Sequence, residues 1–107
     1  MPFFLIQASY TSQATAAMIQ NPQDRAAAVR PVIERMGGKL HGLWLAFGEY
    51  DVVAITEVPD HVSAAALSMA IGASGALSAY RSTPLITTAE ATQAMKKAAG
   101  AGYQPPK

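Results

Sequence analysis

Hydrophobic and polar positions divide the chain into short strand-like and longer helix-like runs. Apolar, aromatic and β-branched runs predict strands over residues 2–10, 39–47, 51–58 and 76–86. Helices are expected from Thr11 or Ser12 to Ile19, over 22–36 and 61–71, and from Thr87 to the Lys96-Lys97 pair. This order predicts an α+β, ferredoxin-like βαββαβ fold, with an antiparallel sheet, helices on one face and an extra C-terminal helix.

Residues that favour helix ends fix several of these boundaries. Asn21-Pro22 predicts an N-cap followed by proline in the first turn, and Pro31 predicts a kink or break near Arg30. Gly37-Gly38 is expected to close that helix through a left-handed residue. Asp60 is expected to cap the third helix, and the run from Thr87 to Glu90 has the spacing of a capping box.

Both faces of the predicted sheet are apolar. Alternation places Phe3, Leu5 and Gln7 on one face of the first strand and the intervening apolar residues on the other, and the third strand is apolar on both faces as well. Helices on one side leave an apolar patch larger than monomers usually expose. The sequence therefore predicts a homo-oligomer in which a second copy covers the open face.

Length and composition support one compact domain with an unusually apolar surface. The chain has 107 residues, of which 50% are hydrophobic and 14% charged. We expect residues 1–98 to form the domain and residues 99–107 to form a flexible tail rich in glycine and proline.

Charge and residue usage argue against several classes of partner. The net charge is only +1, and the third strand lacks the aromatic residues with which an RNA-binding module of this topology stacks bases, so no nucleic-acid partner is expected. No signal peptide or membrane-spanning run is recognisable, which predicts a cytoplasmic protein without a membrane partner. Cysteine is absent and the two histidines lack metal-ligand spacing, so neither a metal nor another cofactor is expected.

The segment Phe47-Gly48-Glu49-Tyr50-Asp51-Val52-Val53, followed by Glu57-Val58-Pro59-Asp60, resembles the GYD-domain family. Gly37-Gly38-Lys39-Leu40 fits the same pattern, and the resemblance covers roughly residues 2–95. It implies a dimeric α/β barrel, in which two ferredoxin-like sheets enclose a common interior. Related barrel families include cofactor-free monooxygenases, haem-degrading enzymes and isomerases, but likeness of fold does not transfer chemistry.

Two groups of residues are candidates for chemistry. Tyr50 and Asp51 either stabilise the hairpin, with Gly48 permitting the turn, or contact a ligand or partner at the mouth of the barrel. His41, in a nearly apolar strand, is a candidate general base or a hydrogen-bonding residue at the rim.

Charged and aromatic residues of the strands form the rest of the candidate site. Arg81 is expected to pair with Glu57 or Asp51, within the sheet or across the dimer, and could instead bind a ligand carboxylate. Trp44 and Tyr80 would fill the core or an interface, or serve as walls of a cavity for a flat apolar ligand.

Three functions follow from these features. The first is an oligomer that binds a small apolar or amphipathic molecule in its barrel. The second is a cofactor-independent enzyme of isomerase or monooxygenase type with His41 as the base. The third is a purely structural assembly, which an interior filled by side chains would indicate.

Overall fold

The computed structural model describes residues 1–107 and contains four strands and four helices. The strands are β1 (Phe3–Tyr10), β2 (Lys39–Leu45), β3 (Val52–Glu57) and β4 (Leu77–Leu85). The helices are α1 (Ser12–Gln20), α2 (Arg25–Arg35), α3 (His61–Gly72) and α4 (Thr88–Ala99). The strands form one antiparallel sheet in the order β2-β3-β1-β4, which confirms the predicted ferredoxin-like fold.

The core lies between the sheet and helices α2 and α3. Ile33 of α2 and Leu67 of α3 pack with Leu40 of β2 and Ala54 of β3, and all four side chains are buried. Buried Phe4 and Ala8 lie on the same face of β1, as alternation predicts.

Polar side chains begin three of the helices where they were expected. Thr11 Oγ1 accepts from the Ala14 amide, and Asp60 Oδ1 accepts from the Ser63 amide, which holds the pKa of Asp60 below its usual value. Thr87 and Glu90 form the reciprocal hydrogen bonds of a capping box at the start of α4. These local signals were correctly predicted because each depends on residues within one turn.

The start of α2 differs from the prediction. Asn21 ends α1, and α2 begins at Arg25 with Asp24 as its N-cap, whose carboxylate accepts from the Ala26 and Ala27 amides. Pro31 does not break the helix, which continues to Arg35. Ala27, whose carbonyl loses its amide partner at Pro31, lies on the exposed side of α2, so water can bind that carbonyl.

The turn between α2 and β2 requires its two glycines for different reasons. Gly37 has a φ of 80°, the left-handed conformation that ends many helices. Gly38 lies against the carbonyl oxygen of Glu57, and a Cβ there would overlap that oxygen. Because residue 38 is glycine, the chain that leaves α2 can pass close to the end of β3 and enter the sheet as β2.

Helix α4 extends away from this body. Eleven of its twelve residues are exposed, with only Ala91 partly covered. The radius of gyration is 17.2 Å, compared with about 13 Å expected for a compact domain of this length. No helix is long and apolar enough to cross a bilayer.

Candidate functional site

The face of the sheet opposite α2 and α3 carries apolar side chains that the chain leaves only half-buried. We call this surface the open face; Leu5 of β1 pairs with Ile55 of β3, and Gln7 pairs with Val53. Phe3 lies at one end of the same row. The alternation predicted from sequence for both strands is thus confirmed, and none of these five side chains is buried.

A β-bulge in β2 places His41 on the open face. Leu40 pairs with Thr56 and Gly42 with Ile55, so His41 is the additional residue between them. Its Nε2 lies 2.9 Å from Oε1 of Glu57.

The His41 ring also stacks on Phe3, with ring centroids 5.1 Å apart. The His41 side chain is 33% exposed, so the ring contacts both partners and remains accessible to solvent. A carboxylate on one ring nitrogen fixes the orientation and tautomer of an imidazole. This pair can therefore take up or release a proton at the other nitrogen, which is the arrangement of a general base.

Trp44 forms an apolar wall beside this pair. It lies opposite Val53, and its indole covers Gly42, where a Cβ would fall well inside contact distance of the ring. The indole replaces the side chain that glycine lacks, yet Trp44 remains 56% exposed. Trp44 was a candidate from sequence and Gly42 was not, although a glycine inside a strand indicates a bulge or a close approach.

Arg81 lies across the sheet, on β4, and forms no ion pair within the chain. It pairs with Gln7 and is exposed, whereas Glu57 of β3 hydrogen-bonds to His41 and pairs with Phe3 at the start of β1. The expected pairing of Arg81 with Glu57 or Asp51 is therefore not formed within one chain. The register separates them, because Arg81 and Glu57 lie beside residues four positions apart on β1.

The loop between β2 and β3 is held by Asp51. Its backbone amide donates to the Ala8 carbonyl at 2.9 Å, and its carbonyl accepts from the Ala46 amide at 2.7 Å. Its Oδ2 accepts from the Tyr10 amide at 2.9 Å. These contacts favour the structural interpretation of Asp51, while Tyr50 beside it is partly exposed.

Gly48 does not have the conformational role that was expected. Its φ is not positive, and no atom lies within 4 Å of the position that its Cβ would occupy. The backbone of the loop therefore does not require glycine there within a single chain.

Tyr80 lies on the face covered by the helices, apart from Trp44. It pairs with Ala8 and lines a cavity of about 370 Å³ between the sheet and helices α2 and α3. Burial raises the pKa of its hydroxyl, and nearby Ser68 opposes that rise. The Ser68 hydroxyl donates to the Ala64 carbonyl at 3.1 Å, and the buried Tyr80 hydroxyl forms no well-aligned hydrogen bond.

The seven residues singled out from sequence therefore fall into three groups. His41, Trp44, Glu57 and Arg81 share the open face, Tyr50 and Asp51 lie in the hairpin loop, and Tyr80 lies beneath the helices. No three histidine or acidic side chains converge as ligands for a metal ion.

Comparison with known proteins gives a family. No curated protein and no solved structure matches the chain. Residues 4–95 match the GYD domain, a span that begins in β1 and ends within α4. Because this match covers most of the chain and includes the hairpin that carried the resemblance, the protein belongs to the GYD-domain family.

Proposed function

We propose that the protein is a homo-oligomer that pairs through its open face and binds a small apolar or amphipathic molecule in the interior so formed. The observation that carries this proposal is the row of half-buried apolar side chains on the open face, which includes Leu5, Val53 and Ile55. A single chain buries only 9 of its 107 residues, so its own helices cover little of its apolar surface. A second copy would bury the apolar side chains that a single chain leaves partly exposed.

Two other features support self-association. Trp44, Leu45 and Phe47 expose 56%, 56% and 103% of their surface around the end of the β2–β3 hairpin. Helix α4 extends from the body, and nearly all of its residues are exposed. Large exposed apolar residues at two projecting elements are typical of surfaces that meet a protein partner.

The polar groups of the open face support a ligand in the interior. Arg81 has no acidic partner within the chain, and the His41 and Glu57 side chains are both partly exposed. An apolar enclosure with a few convergent polar groups is the usual composition of a small-molecule site. Trp44 would form one apolar wall, and Arg81 would bind an anionic group of the ligand.

Paired variants test the assembly. Val53→Asp places a charge on the open face, whereas Val62→Asp makes the same change at an α3 position that is 77% exposed. Sedimentation analysis should give a folded monomer for Val53→Asp and the wild-type oligomer for Val62→Asp. An oligomer of Val53→Asp with unchanged affinity would contradict pairing through the open face, as would a monomeric wild type.

Mass spectrometry under non-denaturing conditions tests the bound molecule. Protein purified gently from its native host should carry additional mass on the oligomer, and the Val53→Asp monomer should lack it. An oligomer with the bare chain mass and an interior filled by side chains would instead favour the structural assembly.

A second candidate is a cofactor-independent enzyme in which His41 is the base. The separation of 2.9 Å between His41 Nε2 and Glu57 Oε1 favours it, because the carboxylate holds the imidazole in one orientation and leaves its other nitrogen free to face a substrate. The molecule carried by the native protein should then exchange a carbon-bound hydrogen for deuterium in heavy water. His41→Ala should abolish this exchange while the oligomer persists, and exchange at the wild-type rate would exclude His41 as the base.

A further inference from the structure

A second candidate ligand site lies within the single chain, on the opposite side of the sheet from the open face. The cavity beneath α2 and α3 has a volume of about 370 Å³, within the range of small-molecule sites. Twelve of its fourteen lining residues are hydrophobic. Val29 and Val32 of α2, Ile71 of α3 and Ile6 of β1 supply much of this apolar wall.

Arg25 brings to this cavity a positive charge that has no ion-pair partner. It is the first residue of α2 and lines the cavity, and its Nε is buried without a hydrogen-bond partner. Its Nη1 donates to the neutral side chain of Gln23 at 2.6 Å. The adjacent Asp24 carboxylate accepts from the helix amides, and Arg25 forms no ion pair with it or with any other acidic group of the chain.

Tyr80 contributes its ring to the wall of the same cavity. Its hydroxyl oxygen is buried near Ser68 of α3, a residue that does not line the cavity, and burial raises the pKa of this hydroxyl. The Tyr80 ring therefore adds apolar surface to the wall, and Arg25 is the charged residue that a ligand in the cavity would meet.

We propose that this cavity binds an apolar monocarboxylic acid, whose carboxylate pairs with the Arg25 guanidinium and whose body packs against Val29, Val32 and Ile71. The guanidinium can only donate hydrogen bonds and has no acidic partner in the chain, so a ligand that ends in a carboxylate complements it. An apolar body suits the rest of the wall.

Calorimetry with decanoate and 1-decanol as probes, below the concentration at which decanoate forms micelles, tests the proposal. We expect saturable binding of one decanoate per chain and binding of decanol weaker by about tenfold or more, because a hydrogen bond to a charged group is lost. Arg25→Gln should reduce decanoate affinity by a similar factor and leave decanol affinity unchanged. Arg35→Gln, at the exposed C-terminal end of α2, is the matched control and should bind both probes as the wild type does.

Two further variants address the wall of the cavity. Tyr80→Phe keeps the ring in the wall and should leave decanoate affinity close to that of the wild type. Ala28 is exposed at the rim of the cavity, so Ala28→Phe should close the mouth and abolish binding of both probes without disturbing the core. Thermal unfolding of each variant verifies that the fold is retained.

Trp44, the only tryptophan of the chain, distinguishes this site from the open face. Decanoate bound beneath the helices should leave Trp44 fluorescence unchanged, and it should bind equally well to the monomeric Val53→Asp variant. Absence of saturable decanoate binding, wild-type affinity in Arg25→Gln, or a decanoate-dependent change in Trp44 fluorescence would each overturn the proposal. None of these results depends on whether the protein assembles through its open face.

Discussion

The carboxylate of Asp51 offers a direct test of whether the glycine-tyrosine-aspartate hairpin stabilises the fold. Asp51→Ala removes the hydrogen bond from the Tyr10 amide, at 2.9 Å, and leaves the two backbone hydrogen bonds of Asp51 in place. A hydrogen bond to a charged group contributes about 1.5–3 kcal/mol to stability. The Tyr10 amide is left without this partner in a partly buried position, so we expect the free energy of unfolding to fall by about that amount.

Thermal unfolding followed by circular dichroism measures this loss. Each kcal/mol lowers the Tm of a domain of roughly this length by about 4–8 °C, so Asp51→Ala should melt on the order of 10 °C below the wild type. All proteins must be compared at one concentration, because an oligomer has a concentration-dependent Tm. Urea unfolding gives the corresponding free energy independently.

Two neighbouring variants show whether the hydrogen bond causes the loss. Asp51→Asn keeps an acceptor oxygen without the charge, so its stability should fall between those of the wild type and Asp51→Ala. Glu49→Ala removes an exposed carboxylate from the same loop and should change the Tm very little. An Asp51→Ala protein that melts with the wild type would refute the structural role and return Asp51 to the list of ligand-binding candidates.

Two other predictions concern single backbone positions and pH. Urea unfolding should show that Gly38→Ala destabilises the fold by about 1–3 kcal/mol, because the new Cβ overlaps the Glu57 carbonyl oxygen and lies only 3.0 Å from Val58 Cγ1. In the same experiment, Gly72→Ala should be neutral or slightly stabilising, because no atom lies within 4 Å of its new Cβ. The hydrogen bond from the Thr87 amide lowers the pKa of Glu90, so the stability this carboxylate gives to α4 is present above its unfolded pKa and is lost as the pH falls through its folded pKa. The Thr87 amide resonance of the wild type should therefore shift in acid, at a pH below that at which an unperturbed glutamate takes up its proton, and should stay constant in Glu90→Gln. A resonance that does not move in the wild type would contradict the capping box.

The parts of the fold that sequence predicted are those governed by local periodicity and local hydrogen bonds. Phe4 and Ala8 are buried while Leu5 and Gln7 are not, because a strand has a period of two and only one face meets the helices. The start of α2 was missed because Asn21 and Asp24 are both good N-caps. Only the path of the chain after α1 decides that Asp24 meets the free amides.

The candidate site required information that periodicity does not contain. Strict alternation along β2 places His41 and Trp44 on opposite faces, since three positions separate them. The bulge at His41 changes the alternation once, so that both side chains lie on the open face with Glu57. A pairing register is set by two strands together, and Gly42 was the only local indication of the irregularity.

The pleat of β4 separates the two proposed sites. Tyr80 and Arg81 are adjacent on β4, so the pleat directs the tyrosine beneath the helices and the arginine onto the open face. The helix-covered site has its apolar wall and its charge, Arg25, within one chain, whereas the open face has an arginine and a histidine but no second wall. A ligand beneath the helices should therefore bind to a monomer, and a ligand on the open face should need the second copy. Binding measurements on the Val53→Asp monomer separate these two cases.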